Sequence, residues 1–519
     1  MRWVDFKDSV KRFWSDYKHQ KSGMLGISLL IILVILALAA PFITSSKIPK
    51  EWQNPTSQVW ITNPKNAPPS WVSYFSSVKK APELIVKTNK MVVHKTVNNE
   101  MGMVTYNMTF TYNMKYAVPP RDIVIIGLKS NSTLPSTTPE VTVYVQRPSE
   151  EGVKNRTMIL LYKNRMANGN AFQLNYNSQT KKLLLYWLYE NGVFHPLTPI
   201  PTNVPTSMLI NVYLTQMIQF NQTLSTAMTT MLPVNIIFGK ITTNGHVRSL
   251  EDILNSYKPL NGPYKFTIIV TAPKDVNIDF SDFKVAFVGN TYGLLGTDQY
   301  ARPIAVGLLW GIRVALSIGL SVAISSVLIG ILIGVTSAYL GGWADEGIQR
   351  FTEFMMTFPY LPTLVLFSLY FGGKITLPQL VGFLVLFGWM GTTKVARSMA
   401  LQVKEQTYVE AAKALGAGTG RIVFKHIVPQ LLPYAFASMA LSVPGAILAE
   451  ASLSFLNLTS KNLITWGQML NAANSNSATI NGYWWQVIPP GLAIAVVGLV
   501  FVLIGVSLDK VLNPRLRRA

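Results

Sequence analysis

Cysteine is absent from all 519 residues. Disulfides, zinc thiolate sites, thiol nucleophiles and iron–sulfur clusters are therefore excluded. Charge is scarce: Asp, Glu, Lys and Arg together make 13% of the chain, about half the usual quarter. So low a content excludes a disordered chain, a nucleic-acid-binding tail and an ordinary cytosolic enzyme. Acidic residues are the scarcer sign, 24 against 45 basic ones, for a net charge of +21. No Lys/Arg-rich run accompanies that excess, so nucleic acid is not the implied partner. A Walker phosphate loop and a catalytic carboxylate pair are also missing.

What the chain has instead is long apolar runs, and a helix needs about 20 such residues to cross a bilayer. The first run is Met24–Ile43, behind a basic segment with Lys11, Arg12, Lys18 and Lys21. Ala37-Leu38-Ala39 resembles a signal-peptidase site. The long preceding segment, the full-length run and Pro41 favour an uncleaved anchor. Five more runs follow: Val314–Leu340, Phe354–Phe371, Leu377–Met399, Pro433–Leu456 and Pro489–Leu508. Six spans put both termini on one side. Basic residues crowd residues 1–23, residues 394–426 and the tail, so the positive-inside rule makes these cytoplasmic. Trp466, Trp484 and Trp485 are then expected near the outer interface.

Residues 44–300 read differently and are expected outside. They hold 24 Lys and Arg against 14 Asp and Glu, which is 24 − 14 = +10 of the total charge. Ser45–Val78 is rich in Pro, Ser, Asn and Trp and reads as an irregular lead-in. Strand-like runs follow at Met103–Met114, Asp122–Lys129, Glu140–Arg147, Thr157–Lys163, Leu183–Tyr189, Val234–Ile241, Tyr264–Ala272 and Val276–Val288. Asn191-Gly192 and Asn244-Gly245 are hairpin signals, and Thr206–Leu232 reads as helix. The expectation is one β-rich domain with a helix. Four sequons, at Asn107, Asn131, Asn155 and Asn221, are candidate N-glycosylation sites.

The informative segment is the basic loop. Tyr408–Leu415 is a short helix with little bulk at Ala411, Ala412 and Ala414. Gly416, Gly418 and Gly420 break it, and Ile422–Ile427 begins a second helix. Such a unit can dock in a partner's cleft. A phosphate loop is a poor alternative, because the glycines follow a helix and end in Arg421. Glu410 alone would be an ordinary solvated residue. His426 has no ligand-type neighbours at metal spacing, and a capping or interfacial role suits it better. Within the spans, Arg313 and Glu450 are the rim or pathway candidates. Both lie near span ends, where snorkelling or an interfacial pair explains them.

Glu410-Ala411-Ala412, then Gly416 and Pro429, resembles the EAA loop of permease subunits of binding-protein-dependent ABC importers. Lys425-His426-Ile427-Val428-Pro429 is similar to the peptide/nickel class. Further segments agree: Gly296-Thr297-Asp298, the stretch Trp310–Ser317, Ala338–Asp345, Pro359, Glu450–Leu456, Thr465-Trp466-Gly467 and Asn513-Pro514-Arg515. Together they resemble the C-type permease over the last 220 or so residues and the first span. Ala301, Pro303, Asn457, Val506 and Asn513 depart from that pattern, and the insertion at 44–300 is the largest departure.

The resemblance implies a type I permease of six transmembrane helices, and the residues themselves add a large β-rich extracellular domain between helices 1 and 2, about which the resemblance says nothing. The implied layout is a cytoplasmic segment 1–23, helix 24–43, external domain 44–300, permease core 301–508 with coupling loop 394–429, and a cytoplasmic tail 509–519. It implies a homologous second permease, two cytoplasmic ATPases that hold the ATP and Mg, an external binding protein and surrounding lipid. This chain would bind no cofactor and would be no enzyme itself. Tyr408, Glu410, Ala411, Ala412, Gly416 and Arg421 would form the ATPase contact. Di- or oligopeptides are the first substrate class, with oligosaccharides or nickel chelates as alternatives. The lack of Cys, the sequons and the surface domain suggest an archaeal source. A membrane-anchored receptor or envelope protein is the competing class, but it leaves the later spans and the basic loop unexplained.

Overall fold

The computed structural model describes residues 13–54, 57–132, 137–153, 158–167, 169–195, 212, 214–372, 375–459 and 463–512. The chain divides into two compact units, residues 1–55 with 302–519, and residues 56–301.

The first unit is helical. Its helices are α1 (Lys21–Ile43), α2 (Ile304–Leu340), α3 (Gly342–Met356), α4 (Tyr360–Tyr370), α5 (Leu377–Lys404), α6 (Thr407–Ala414), α7 (Val428–Phe455), α8 (Trp466–Ser475) and α9 (Trp484–Leu512). Five helices among the described residues are long and apolar enough to cross a membrane: α1, α2, α5, the continuous run Thr419–Phe455 that contains α7, and α9. Helix α2 starts at Ile304, ten residues ahead of the expected Val314.

The expected span Phe354–Phe371 is not one helix. Pro359 is the extended N-cap of α4 (φ −68°, ψ 113°), and a proline disfavours helical backbone at the residue before it. The chain therefore breaks between Met356 and Tyr360. With 11 residues, α4 extends about 16 Å at 1.5 Å per residue, roughly half a bilayer core. Helix α3 carries Asp345, Glu346, Arg350 and Glu353, too much charge for hydrocarbon.

Glycines set how closely these helices approach. A Cβ on Gly330 would stand 2.7 Å from Trp389 O, and one on Gly334 would stand 2.5 Å from Thr393 O. The backbones of α2 and α5 thus touch along a Gly-x-x-x-Gly face, the device that lets helices associate in lipid. The Thr393 hydroxyl donates to Gly330 O at 3.2 Å across the same contact. Farther along α2, Gly311 makes room for the Trp466 ring. Trp466 is buried and its Nε1 donates to Leu308 O at 3.2 Å. It packs between α8 and α2. Trp485 is buried too, and Trp484 is exposed.

Residues 44–55 belong with the helical unit, although the sequence placed them in the domain that follows. Trp52 is buried, with the Arg302 guanidinium 4.6 Å from its ring centre. Trp310 Nε1 donates to the Thr44 hydroxyl at 2.9 Å.

The second unit is β-rich. Its strands are β1 (Leu84–Lys87), β2 (Val92–Asn98), β3 (Met103–Met114), β4 (Asp122–Ile126), β5 (Lys129–Ser130), β6 (Glu140–Gln146), β7 (Met158–Arg165), β8 (Phe172–Gln173), β9 (Thr242–Thr243), β10 (His246–Val247), β11 (Gly262–Pro273), β12 (Ile278–Asp279) and β13 (Lys284–Val288). A five-stranded sheet runs β2-β3-β11-β6-β7, and a four-stranded sheet runs β1-β13-β4-β8. Every pairing in both is antiparallel. Alternation along β3 buries Val104, Met108, Phe110, Tyr112 and Met114. Their rings meet the other sheet: Tyr112 stacks on Phe287 with centroids 4.2 Å apart, and Phe110 meets Phe287 edge-on at 6.1 Å.

Several expected strands are something else. Leu183–Tyr189 lies in a helix, Ser178–Glu190, capped by Asn177, whose side chain accepts from Thr180 N. A short apolar run does not by itself distinguish a strand from a buried helix, and the cap decides here. Asn191-Gly192 ends that helix instead of turning a hairpin. Gly192 has φ +75°, and Val193 N returns to Leu188 O at 3.1 Å, a glycine C-terminal motif. Val234–Ile241 likewise begins with a helix, Pro233–Phe238, whose first position suits proline. Asp122–Lys129 breaks at Gly127 (φ +90°), and Val276–Val288 divides into β12 and β13. Of Thr206–Leu232, residues 206–211 and 213 lie outside the described residues. The rest holds two helices, Leu214–Phe220 and Gln222–Thr230. Asn244-Gly245 does turn a hairpin between β9 and β10, with φ of 51° and 78°. Strands β1 and β2 were not expected.

Entry to and exit from this unit are stitched together. Asn66 N donates to Asp298 O at 2.9 Å, Thr297 N to Ala67 O at 2.9 Å, and Ser70 N to Gly293 O at 2.9 Å. The Asn63 amide reaches Ala301 O at 3.1 Å.

Candidate coupling site

Helix α6 leaves α5 across two residues, Glu405 and Gln406. Of its own residues only Val409 is buried. Val409 belongs to an apolar cluster with Val335 and Ala338 of α2, Ala396 and Ala400 of α5, and Ile422, Val423 and Ile427. The opposite face is open: Tyr408, Glu410 and Ala411 are exposed and Ala412 is half-buried. The helix ends because Gly416 takes φ +79°, a conformation that glycine adopts at no steric cost. Ala417 N then returns to Ala412 O at 3.1 Å.

A short turn of helix, Thr419–Ile422, and a π-helical turn, Val423–Ile427, lead into α7. Pro429 near the start of α7 has no N–H to give to the preceding turn, which favours the wider turn there. Arg421 is exposed. His426 is half-buried, its ring 6.3 Å from that of Tyr408. The geometry thus presents small side chains and one carboxylate on a short helix that is anchored from beneath by a single valine.

Other candidates are not gathered here. Arg313 is exposed and lies over the Trp310 ring at 5.2 Å. Glu450 is buried, at 4% exposure. It accepts from the Ser454 hydroxyl at 2.5 Å and from the Thr465 hydroxyl. Ser454 is in turn 2.7 Å from Thr459, and the Gln468 amide reaches Thr459 at 3.3 Å. Glu450 therefore does not snorkel, and its partners are hydroxyls, not Arg313.

Among the sequons, Asn107 lies in mid-strand in β3 and is half-buried. Asn131 is exposed, with its side-chain oxygen accepting from Asn277 N at 2.8 Å. Asn221 caps the helix Gln222–Thr230 through Leu224 N at 3.2 Å. Asn155 lies outside the described residues.

Sequence reasoning missed the ionic contacts between α3 and α5. Arg397 Nε donates to Asp345 Oδ1 at 2.6 Å, and its Nη2 pairs with Oδ2. Arg397 holds the Asp345 carboxyl below the usual carboxylate range. An Arg at the exposed end of an apolar run and an Asp after a glycine pair were the available signal.

A bundle of apolar helices carrying an exposed helix–glycine–helix loop defines a polytopic helical membrane protein. Residues 326–518 match the family described as binding-protein-dependent transport system inner membrane component. Residues 10–69 match the N-terminal transmembrane domain of oligopeptide transport permease C. The dipeptide transport system permease protein DppC of Bacillus subtilis is 34% identical over 225 residues, 43% of this chain and 69% of that protein. The oligopeptide permease OppC of the same organism is 33% identical over 228 residues, 43% of this chain and 72% of the relative. OppC of Haemophilus influenzae is 33% identical over 225 residues, 43% of this chain and 71% of its own length.

The chain belongs to the family of inner-membrane permease components of binding-protein-dependent ABC importers. It is a multi-pass membrane protein, and it works with an ATPase and a substrate-binding protein. Permeases of this kind have no ATPase site of their own, and ATP is hydrolysed in partner subunits. These relatives are bacterial and lend the archaeal expectation no support. Residues 70–325 lie outside both family matches.

Proposed function

We propose that this chain is a permease subunit that imports di- or oligopeptides, with α6 and Gly416 docked in a cleft of the ATPase. The observation that carries the reading is the loop itself. It exposes Tyr408, Glu410 and Ala411, turns at Gly416, and is held from beneath by Val409. Small residues on an exposed short helix permit close approach to another surface. In this reading both termini and the loop are cytoplasmic, and α4 is a sixth, short crossing. A homologous second permease completes the pathway, and residues 56–301 lie outside. Closure of the ATPases on ATP pulls the loops and swings the helices between inward and outward access. The peptide class rests on the names of the relatives.

The test uses the reconstituted complex. A Cβ on Gly416 would meet nothing within 4 Å, so Gly416→Leu crowds only a docked partner and strains the turn. Gly416→Asn tolerates the same backbone conformation and separates the two effects. Both variants are expected to stop peptide uptake while the protein still inserts and purifies normally. Uptake at the normal rate in Gly416→Leu would refute docking. ATP hydrolysis stimulated by oligosaccharides and not by peptides would overturn the substrate class.

A further inference from the structure

Helix α2 ends at Leu340 because Gly341 has φ +66°, and its last carbonyls lack helical partners. Lys404, the last residue of α5, supplies donors: its Nζ reaches Ala338 O at 3.1 Å and Tyr339 O at 3.0 Å. A cation is also favoured at the C-terminal end of a helix dipole. Two residues later α6 begins. Nearly two turns before Lys404, Arg397 grips Asp345 of α3 through both carboxylate oxygens. Asp345 Oδ1 further accepts from the Ser337 hydroxyl of α2 at 2.5 Å, and the Gln349 amide of α3 donates to that same hydroxyl at 3.1 Å. The Asp345 side chain is only 14% exposed and that of Arg397 33%, so water screens this pair less than an ordinary surface pair. Next to it, Gly334 presses on the α5 backbone, with a Cβ there 2.9 Å from Arg397 N.

These contacts join three helices at the end from which α6 departs. We propose that Asp345, Arg397 and Lys404 are positioning residues of the transport cycle. They lock α2, α3 and the end of α5 into one body, so force that reaches α5 through α6 moves all three helices together instead of peeling α5 away from α2 and α3. The proposal rests on the docking of α6 set out above. The three residues act by holding the ends of three helices together. A coupling element needs a stiff path with discrete arrangements, and helix ends free to part from one another would dissipate the stroke.

The absence of cysteine from this chain permits site-specific spin labels on it in the full complex, assembled with partner subunits whose own cysteines are replaced. One pair, Leu340→Cys with Gln402→Cys, spans α2 and α5 beside the lock. A second pair, Lys413→Cys with Asp509→Cys, reports α6 against α9. In the otherwise unchanged chain, ATP is expected to shift the second distance and leave the first unchanged. Arg397→Gln and Lys404→Gln should broaden the first distance. They should also lower peptide transported per ATP by about tenfold, with ATP hydrolysis itself held within about threefold. The exchanged pair Asp345→Arg with Arg397→Asp should recover most of that loss, which a packing defect would not. An unchanged transport-to-ATP ratio in both single variants overturns the proposal, as does a first distance that shifts with ATP in the unchanged chain. A second distance that ignores ATP sinks the docking reading instead. Lys404→Gln alone decides the matter if Arg397→Gln fails to assemble.

Discussion

In the β-rich unit the interior is filled by large side chains: Phe238, Tyr264, Phe266, Phe283 and Phe287 are all nearly inaccessible. In the helical unit the closest contacts are glycine against backbone, at Gly330 and Gly334, and the buried positions of α2 run to Ala, Gly, Ser and Val as well as Ile. The solvent explains the difference. A sheet with one polar face gains by removing rings from water. Helices in lipid gain nothing by hiding leucine from hydrocarbon, so they associate through close backbone approach and interhelical hydrogen bonds.

The comparison can be broken, and the sharpest attempt is Phe266→Ala. That ring sits 5.3 Å from both Phe110 and Phe287, and its loss should cost about 3–5 kcal/mol. Hydrogen exchange should speed up in β3, β6 and β11 and stay unchanged in α2 and α5. Equal loosening of both units would show that they do not stabilise themselves separately.

Acid gives a second handle, because burial pushes the Asp122 carboxyl up to about 6 despite backbone N–H donors from Ile123 and Asn175. A folded value above the unfolded one means that the native state binds more protons between about pH 4 and 6. The contribution is therefore full below about pH 4 and lost as pH rises through 6, on the order of 2–3 kcal/mol. Exchange in β4 and β13 should slow as the pH falls across that window, after correction for intrinsic rates. Asp122→Asn should flatten that dependence and leave the helical unit unaffected.

The smallest expected effect is Gly334→Ala. One methyl forced against Thr393 O should separate α2 from α5 and cost about 1–3 kcal/mol, read as faster exchange in those two helices only. A neutral result would mean that the backbones have room to part, and the glycine contact would then explain little.

What was legible in the sequence followed the same division. Apolar length marked α1, α2, α5, α7 and α9, because hydrocarbon imposes one strong requirement. It failed at Phe354–Phe371, where Pro359 splits the apolar stretch and leaves its first residues at the end of the charged, amphipathic α3 and the rest in the short α4. The loop was readable as helix, glycine, helix, since Gly416 announces its own backbone conformation. Strands were readable where residues alternate, as in β3 and β11. Leu183–Tyr189 does not alternate, and the Asn177 cap that starts its helix lies six residues ahead of the apolar run. The contacts of Asp345 and Lys404 were not readable, because each depends on two helices meeting far from one another in sequence.

The stitching of residues 63–70 to 293–301 has a further consequence. A folded insertion whose entry and exit are already side by side asks almost nothing of its host. Its loop-closure entropy is met by its own hydrogen bonds, and the host sees a connection no wider than a tight turn. Such a module can be gained, exchanged or trimmed to a short link between α1 and α2 without re-registering any helix. The permease core and the β-rich unit are therefore free to change at different rates within one continuous chain.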